Sequence, residues 1–371
     1  MRIAIFTELY FPSVGGQEMF FHGLAKALVR RGHELDVYCI GHENGLAATE
    51  VIDGVNVHRA LTVAEYKIPL FPAMKRKWRG ILGFAWRVRT IARRAEHDIY
   101  LLNQWPFLHA LLLPLRARQR ALLHWCEIRR SRFYLACQKH LPRRVVLNAA
   151  ISESVAAEIR DMSGQKVFPL PSGLDLTRGV SKPRSERRDI VVLGRVTAHK
   201  NLGLLITAFE MMKAGGYAGR LKVAGDGPDM PAVVQRVAAS ACRNDIDLLG
   251  FIADELKFHL LSGCEMLAMP SKREGFPHVV AEAMCCGLPI VTADYPENGT
   301  KTVVEAYGVG VVTAPNAESF AAGMRCVLVE WERFSARGLK GSAQLDWNAI
   351  ASVLESNLLE VLEPGLNISP G

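Results

Sequence analysis

The sequence predicts an α/β chain of two doubly wound domains, each a parallel sheet covered by helices, and three observations carry that expectation. A chain of 371 residues exceeds the roughly 250 to 300 residues at which a single hydrophobic core stops growing. Short apolar runs alternate with helical patterns from the N-terminus onward, as parallel sheets with crossover helices require. A polar, charged stretch broken by Pro183, residues 177 to 188 (TRGVSKPRSERR), divides the chain near its middle and reads as a linker.

The first domain is expected over residues 1 to 176. Arg2-Ile3-Ala4-Ile5-Phe6-Thr7 reads as a buried parallel strand, followed by Gly15 and Gly16 and an amphipathic helix from Gln17 to Arg31. The two glycines let backbone approach a ligand closely, and the helix behind them offers its N-terminal amides. A glycine pair after a strand says only Rossmann-like. Further strands are expected at Glu34 to Ile40, Val55 to Ala60, Asp98 to Asn103, Ala121 to Cys126 and Val145 to Ile151, and Ser152-Glu153 reads as the N-cap of another helix.

A second wound unit is expected over 189 to 345. Asp189 to Leu193 is its first strand, and Gly194-Arg195 and Lys200 precede a helix starting near Asn201. Two cations beside a strand-to-helix turn suit a diphosphate, since Arg offers a fork and Lys a point charge; they are equally at home as ordinary surface charges. Leu221 to Gly227, Asp247 to Phe251, Met266 to Met269 and Leu288 to Ala293 follow as strands, and Gly299-Thr300 opens a helix. Asp245-Ile246-Asp247 spells D-x-D and reads as a coincidence beside a strand. The last helix, about Trp347 to Leu362, has apolar residues at helical spacing.

The working centre is expected in PSKREGFPHVVAEAMCCGLP, residues 270 to 289. Gly275 marks a tight turn, Pro277 suits the first turn of a helix, and Gly287 with Pro289 closes it. Such a helix points free amides and partial positive charge into the crevice at the strand ends. Glu274 sits in the turn and Glu282 eight residues later on the helix. At about 1.5 Å rise per residue the two cannot share one small proton-transfer site. They suit two parts of an extended ligand, such as the hydroxyls of a sugar and of a ribose; otherwise they belong to a solvated helix face.

Charge is uneven. Residues 1 to 180 carry 26 Lys and Arg against 15 Asp and Glu, whereas 181 to 371 carry 19 against 22. Between Met74 and Arg94 lies MKRKWRGILGFAWRVRTIARR, with eight Lys or Arg, no acid, and Trp78, Phe84 and Trp86 interleaved. That pattern suits an element lying on an anionic membrane surface. It also suits a surface helix whose tryptophans pack inward, or a nucleic-acid contact, though no nucleic-acid motif accompanies it. Arg129, Arg130 and Arg132 add to the positive field, as a receiver for an anionic acceptor or as solvated charges. No run of about 18 apolar residues appears, and the N-terminus enters a strand pattern at once. Neither a membrane span nor a signal peptide is therefore expected, and the expected location is the cytoplasm. The eight cysteines show no C-x-x-C pair and read as reduced thiols.

The Glu274 to Glu282 pair in EGFPHVVAE, with GRVTAHK around Arg195 and Lys200 and with Gly225-Asp226-Gly227-Pro228, resembles the retaining GT-B glycosyltransferases of family 4. The resemblance implies two Rossmann-like domains facing across a cleft, acceptor on the first and nucleotide sugar on the second. It implies that Arg195 and Lys200 stabilise the leaving diphosphate, that Glu274 contacts the donor sugar with Gly275, Phe276 and Pro277 beside it, and that Glu282 contacts the ribose. Gly194 would approach the phosphates, and the loop at Gly250, Phe251 and Ile252 would border the nucleobase. Gly15 and Gly16 would face donor phosphate and acceptor. His124, in LLHWCE, matches the family's acceptor-domain histidine near the donor sugar, with Glu127 as the acid that follows and Trp125 in place of a glycine. Two other positions often occupied by His are Leu101 and Asn103 here. Pro171-Ser172-Gly173-Leu174-Asp175 resembles the turn closing the first domain, and the last helix is expected to pack back on that domain.

The expected activity is retaining transfer of a hexosyl unit from a UDP- or GDP-linked sugar to a hydroxyl of a lipid-linked or anionic saccharide, in cell-envelope polysaccharide or lipopolysaccharide synthesis. Neither metal nor separate cofactor is expected, and no nucleic-acid partner. The protein is expected in the cytoplasm, on the inner face of the membrane if peripheral. Two other readings stand beside this one: a nucleotide-sugar epimerase of the same fold, and a non-catalytic membrane-associated nucleotide-sugar-binding protein.

Overall fold

Ile3, Ala4, Ile5 and Phe6 are completely buried, as a strand covered on both faces must be. The computed structural model describes all residues except 14, 67–76, 95, 275–277 and 363–371. The chain forms two compact units, Met1–Gly173 with Trp347–Gly371, and Leu174–Asp346.

The first unit holds strands β1 (Arg2–Phe6), β2 (Glu34–Gly41), β3 (Thr49–Ile52), β4 (Val55–Thr62), β5 (Ile99–Asn103), β6 (Ala121–Trp125), β7 (Leu147–Ala150) and β8 (Phe168–Pro169). Its helices are α1 (Gly16–Arg30), α2 (Trp78–Arg93), α3 (Leu108–Leu111), α4 (Leu115–Arg118), α5 (Arg132–His140) and α6 (Glu153–Ser163). The sheet order is β3-β4-β2-β1-β5-β6-β7-β8. Every neighbouring pair is parallel except β3 with β4. That hairpin was not expected from the sequence. Its turn is Asp53-Gly54, with φ of 51° and 81°, the pair of left-handed residues that a two-residue turn matching strand twist requires. Ser152 caps α6 as read, accepting from the Val155 amide.

The second unit holds β9 (Ile190–Leu193), β10 (Leu221–Ala224), β11 (Ile246–Gly250), β12 (Met266–Met269), β13 (Arg273–Glu274), β14 (Ile290–Ala293), β15 (Glu297–Asn298) and β16 (Gly310–Thr313). Its helices are α7 (Leu202–Ala214), α8 (Met230–Ala238), α9 (Asp254–Gly263), α10 (His278–Cys285), α11 (Gly299–Tyr307), α12 (Ala317–Val329) and α13 (Trp331–Ser342). The main sheet is wholly parallel, ordered β11-β10-β9-β12-β14-β16. The winding therefore reverses between β9 and β12, and a crevice opens beyond their carboxyl ends. Alternation along the strands fills two cores. Ile190, Val192, Met266 and Ala268 join Phe209 and Phe320 on one face, and Val191, Leu267 and Met269 join Phe258 and Met284 on the other.

Residues 177 to 188, expected as a free linker, fold with the second unit. Arg187 is completely buried there. Its guanidinium donates to the carbonyls of Lys182 at 2.8 Å, Cys264 at 3.2 Å and Cys286 at 2.6 Å and lies over the Trp331 ring, which is how a buried cation is tolerated. The final helix, α14 (Trp347–Leu362), belongs to the first unit. A Cβ on Gly23 would lie 2.1 Å from Trp347 and one on Gly173 2.4 Å from it, so both glycines are there to admit the indole. Arg31 and His33 hold Glu355 at 2.6 and 2.7 Å. Among the described residues no helix is long and apolar enough to cross a membrane.

Candidate functional site

The crevice at the winding reversal of the second unit is built by the turns after β9 and β12. Gly194, with φ of 141°, leaves β9 where any Cβ on Gly225 would lie 1.9 Å from the Gly194 carbonyl oxygen; only glycine at 225 lets these two strand ends come together. A short turn, Ala198–Lys200, leads into α7 through Asn201 in the left-handed region. From the other side, β13 carries Glu274 and is held by pairing with β15, while the Lys272 amide donates to the His199 carbonyl at 2.7 Å.

Lys200 and Glu274 meet across this crevice, Nζ to Oε1 at 2.5 Å, with only 14% and 13% of their side chains exposed. Arg195 stands exposed beside them with no ion pair among the described residues. The site thus presents a lysine already neutralised by a carboxylate, with Arg195 exposed beside it and Lys272 and Arg273 exposed on the β13 side. Burial lowers the nearby His199 imidazole pKa, against the pull of Glu274.

Glu282 has a different partner. It is buried on α10 and accepts from Lys257 of α9, which also lies 2.7 Å from Asp254. Asp254 in turn accepts from Arg178, whose guanidinium donates to the Asp254 carbonyl at 2.9 Å as well. Burial raises the Glu282 carboxyl pKa while Lys257 draws it down. Burial works against the Lys257 ammonium too, but Glu282 and Asp254 outweigh it and keep it protonated. The two acids of the motif are therefore separately held, Glu274 by Lys200 and Glu282 by Lys257. Sequence reasoning missed Lys257, Asp254 and Arg178. The signal for the first two was an acid and a lysine one turn apart at the start of α9.

Gly250 has φ of 65° and accepts from the Gly225 amide at 2.6 Å. Phe251, just beyond β11, is 81% exposed. Gly275, Phe276 and Pro277 lie outside the described residues. His278 opens the described part of α10, and its imidazole pKa is lowered by burial and by Lys257. Gly287, at φ 62°, ends that helix. Asn298 caps α11, accepting from the Thr300 amide at 3.1 Å. Asp247 accepts from Nε and Nη2 along one edge of the Arg220 guanidinium, at 2.8 and 2.6 Å, and Asp245 lies 3.3 Å from Lys213.

Gly15, Gly16 and His124 belong to the first unit. Beside Gly15 the N-terminal turn of α1 carries an acid of its own. Glu18 accepts from Ser13 Oγ at 3.2 Å, and its carboxylate lies where a Cβ on Gly15 would come within 2.5 Å. A Cβ on Gly16, by contrast, would meet nothing within 4 Å, and no side chain caps the first amides of α1. His124, for which a direct role is expected, lies at the carboxyl end of β6 within the core. It is completely buried, its Nε2 lies 3.0 Å from the Leu170 carbonyl, and its ring stacks on Phe20 at 4.0 Å. Burial lowers its pKa to about 4, which favours the neutral imidazole. Glu127 pairs with Arg129, which rests over Trp105 and Tyr134, and Arg130 pairs with Glu158 at 2.9 Å. At the carboxyl ends of β1 and β5, Asn103 donates to Thr7 and Gln17, both at 3.1 Å.

Comparison with known proteins accounts for both units. Residues 14–178 match the family Glycosyltransferase Family 4, and residues 175–338 match Glycosyl transferases group 1. An uncharacterized glycosyltransferase of Methanocaldococcus jannaschii is 26% identical over 368 residues, covering 89% of this chain and 90% of that one. Among solved structures, sucrose-phosphate synthase of Thermosynechococcus elongatus superposes with a TM-score of 0.79 at 18% identity, over 98% of this chain and 100% of that one. Anabaena HepE in complex with UDP gives 0.73 at 19% identity, over 96% and 99%. Identities that low speak for the fold alone. Two reversed-winding sheets, a family match on each and a relative aligned over most of its length make this chain a member of glycosyltransferase family 4, a glycosyltransferase of the GT-B fold.

Proposed function

We propose that this glycosyltransferase moves a hexosyl unit from a UDP- or GDP-linked sugar to a hydroxyl of a lipid-linked or anionic saccharide, with retention and without a metal, in the cytoplasmic steps of cell-envelope polysaccharide or lipopolysaccharide synthesis. The observation that carries the donor side is the Lys200–Glu274 pair at the winding reversal, with Arg195 free beside it. UDP in the HepE structure supports a uridine donor. The acceptor class rests on the basic balance of residues 1 to 180.

An arriving diphosphate takes Arg195 and draws Lys200 away from Glu274. The freed carboxylate then accepts from donor-sugar hydroxyls, while Glu282 accepts from the ribose. Retention through a covalent glycosyl-enzyme needs carboxylates roughly 5 to 5.5 Å apart on one anomeric centre, and two acids held by different lysines do not suit it. In the ion-pair route the bond from the anomeric carbon to the phosphate oxygen breaks, and the acceptor oxygen bonds to the same face. The leaving phosphate takes the acceptor proton. Arg195 and Lys200 stabilise the charge developing on that phosphate.

The test is thermal shift with a panel of nucleotide sugars, followed by NMR of the products. A true donor at about a hundred times its Kd adds roughly 2.7 kcal/mol, and Arg195→Ala lowers kcat by about 10² to 10³. Release of a converted sugar with no acceptor would make the protein an epimerase. Binding without turnover over a broad acceptor panel would make it a binding protein.

A further inference from the structure

One face of α2 turns large apolar side chains to solvent. Trp78, Leu82 and Trp86 are 46%, 56% and 63% exposed, whereas Ile81, Phe84, Ala85, Val88 and Ala92 are buried. The tryptophans are therefore not the packing face of the helix, and the inward-packing reading of the sequence is corrected. At 3.6 residues per turn the exposed three fall within about 80° of arc, with Arg93 between them and Arg79 at the edge. Arg79, Arg87 and Arg93 are all exposed, and α2 contains no acid. The short helix α4 packs beside α2 and adds Leu115, 75% exposed, and exposed Arg116.

We propose that this face docks on an anionic lipid surface. Tryptophans suit the headgroup boundary, leucines the acyl edge, and arginines beside them pair with lipid phosphates. A second copy is a poor occupant, because two surfaces of the same sign repel. A nucleic acid is poorer still: the face is a convex helix rather than a charged groove that tracks a backbone, and Leu82 and Leu115 add aliphatic surface that an acyl edge rewards and a polyanion does not. Lys77 is not part of the surface. Its ammonium donates to the Ala64 carbonyl at 2.7 Å and lies 3.8 Å from Glu65. Lys75 and Arg76 lie outside the described residues. The inference is independent of the sugar-transfer chemistry.

The test is co-sedimentation of the full chain with phosphatidylcholine vesicles, with and without phosphatidylglycerol. Binding is expected only with the anionic lipid, falling as salt rises. The variant Arg79→Gln/Arg87→Gln/Arg93→Gln should partition on the order of a hundredfold more weakly. Trp78→Ser/Trp86→Ser should also lose binding, and its vesicle-induced tryptophan blue shift should disappear. Val329→Ser, an exposed change in the second unit, should bind as the parent does. Equal binding to neutral vesicles, unaltered binding by both surface variants, or displacement by duplex DNA of the same charge would overturn the proposal. Thermal stabilisation by nucleotide, measured on each variant, reports folding and separates the outcomes: lost vesicle binding with the nucleotide response retained supports the lipid-docking face, and vesicle binding with no nucleotide response in the parent would sink the transferase reading instead.

Discussion

Lys257→Met would leave Glu282 buried without its cation. Glu282 is 7% exposed, and Lys257 is its hydrogen-bond partner among the described residues. Removing one member of a buried pair costs about 3 to 5 kcal/mol. Both side chains retain some solvent contact, 17% and 10%, so the low end, about 3 kcal/mol, is the expected loss, or roughly 6 to 12 °C in the melting of the second unit. The sign with pH follows from the folded carboxyl lying above its unfolded value. The folded state then binds the proton more readily, so the penalty is full at alkaline pH and shrinks as pH falls through the folded pKa. The same substitution favours protonated Glu282 and, in the role proposed for that carboxylate, removes an ionised acceptor for ribose hydroxyls. A charge-assisted hydrogen bond is worth roughly 1.5 to 3 kcal/mol, which weakens UDP or GDP by about 10- to 150-fold. Unfolding at mildly acidic and mildly alkaline pH, with nucleotide titration by calorimetry, measures both. The double variant with Glu282→Gln should recover most of the stability lost. Unchanged melting in Lys257→Met, or losses that simply add in the double variant, would refute the coupling.

Two further outcomes concern the first unit. Gly23→Ala places a Cβ 2.1 Å from the Trp347 ring; overpacking of about 1 to 3 kcal/mol should outweigh the helix-propensity gain of alanine, roughly 0.5 to 1 kcal/mol, and the double variant with Trp347→Ala should melt no lower than Trp347→Ala alone. Glu355 has its pKa lowered by its bond to Arg31, with burial opposing and His33 assisting, so its contribution is full above the unfolded value near 4.5 and is lost as pH falls through the depressed folded value. The protection factor of the α14 amides, taken relative to the intrinsic exchange rate at each pH, should fall on acidification in the parent, and Glu355→Gln should be less protected already at neutral pH and flatter with pH.

The strands around both winding reversals were legible because Ile3 to Phe6 and Met266 to Met269 are apolar runs too continuous for any but buried positions. Lys200 and Glu274 were singled out in two separate stretches, GRVTAHK and EGFPHVVAE, but that they pair with each other was not. What escaped depends on which elements land on one another. Lys257 becomes the counter-ion of Glu282 only because α9 packs against α10. His124 is sealed because Phe20 of α1 and the carbonyl of Leu170 close over it, and no property of LLHWCE announces that. The outward aim of Trp78 and Trp86 is set by Phe84 and Val88 taking the inner face of α2, which the basic residues around them obscured. The β3–β4 hairpin could have been read from Asp53-Gly54 alone.

The return of α14 makes the N-terminal half a discontinuous body. A ribosome delivers its sheet first, then the whole of the other half, and last the 16-residue helix whose indole fills the hollow over Gly23 and Gly173. Until that helix emerges the nascent first half carries an unfilled apolar notch, and a fragment cut after residue 173 would keep it permanently. Expressing that half alone therefore calls for joining its two pieces through a short connector in place of the middle of the chain.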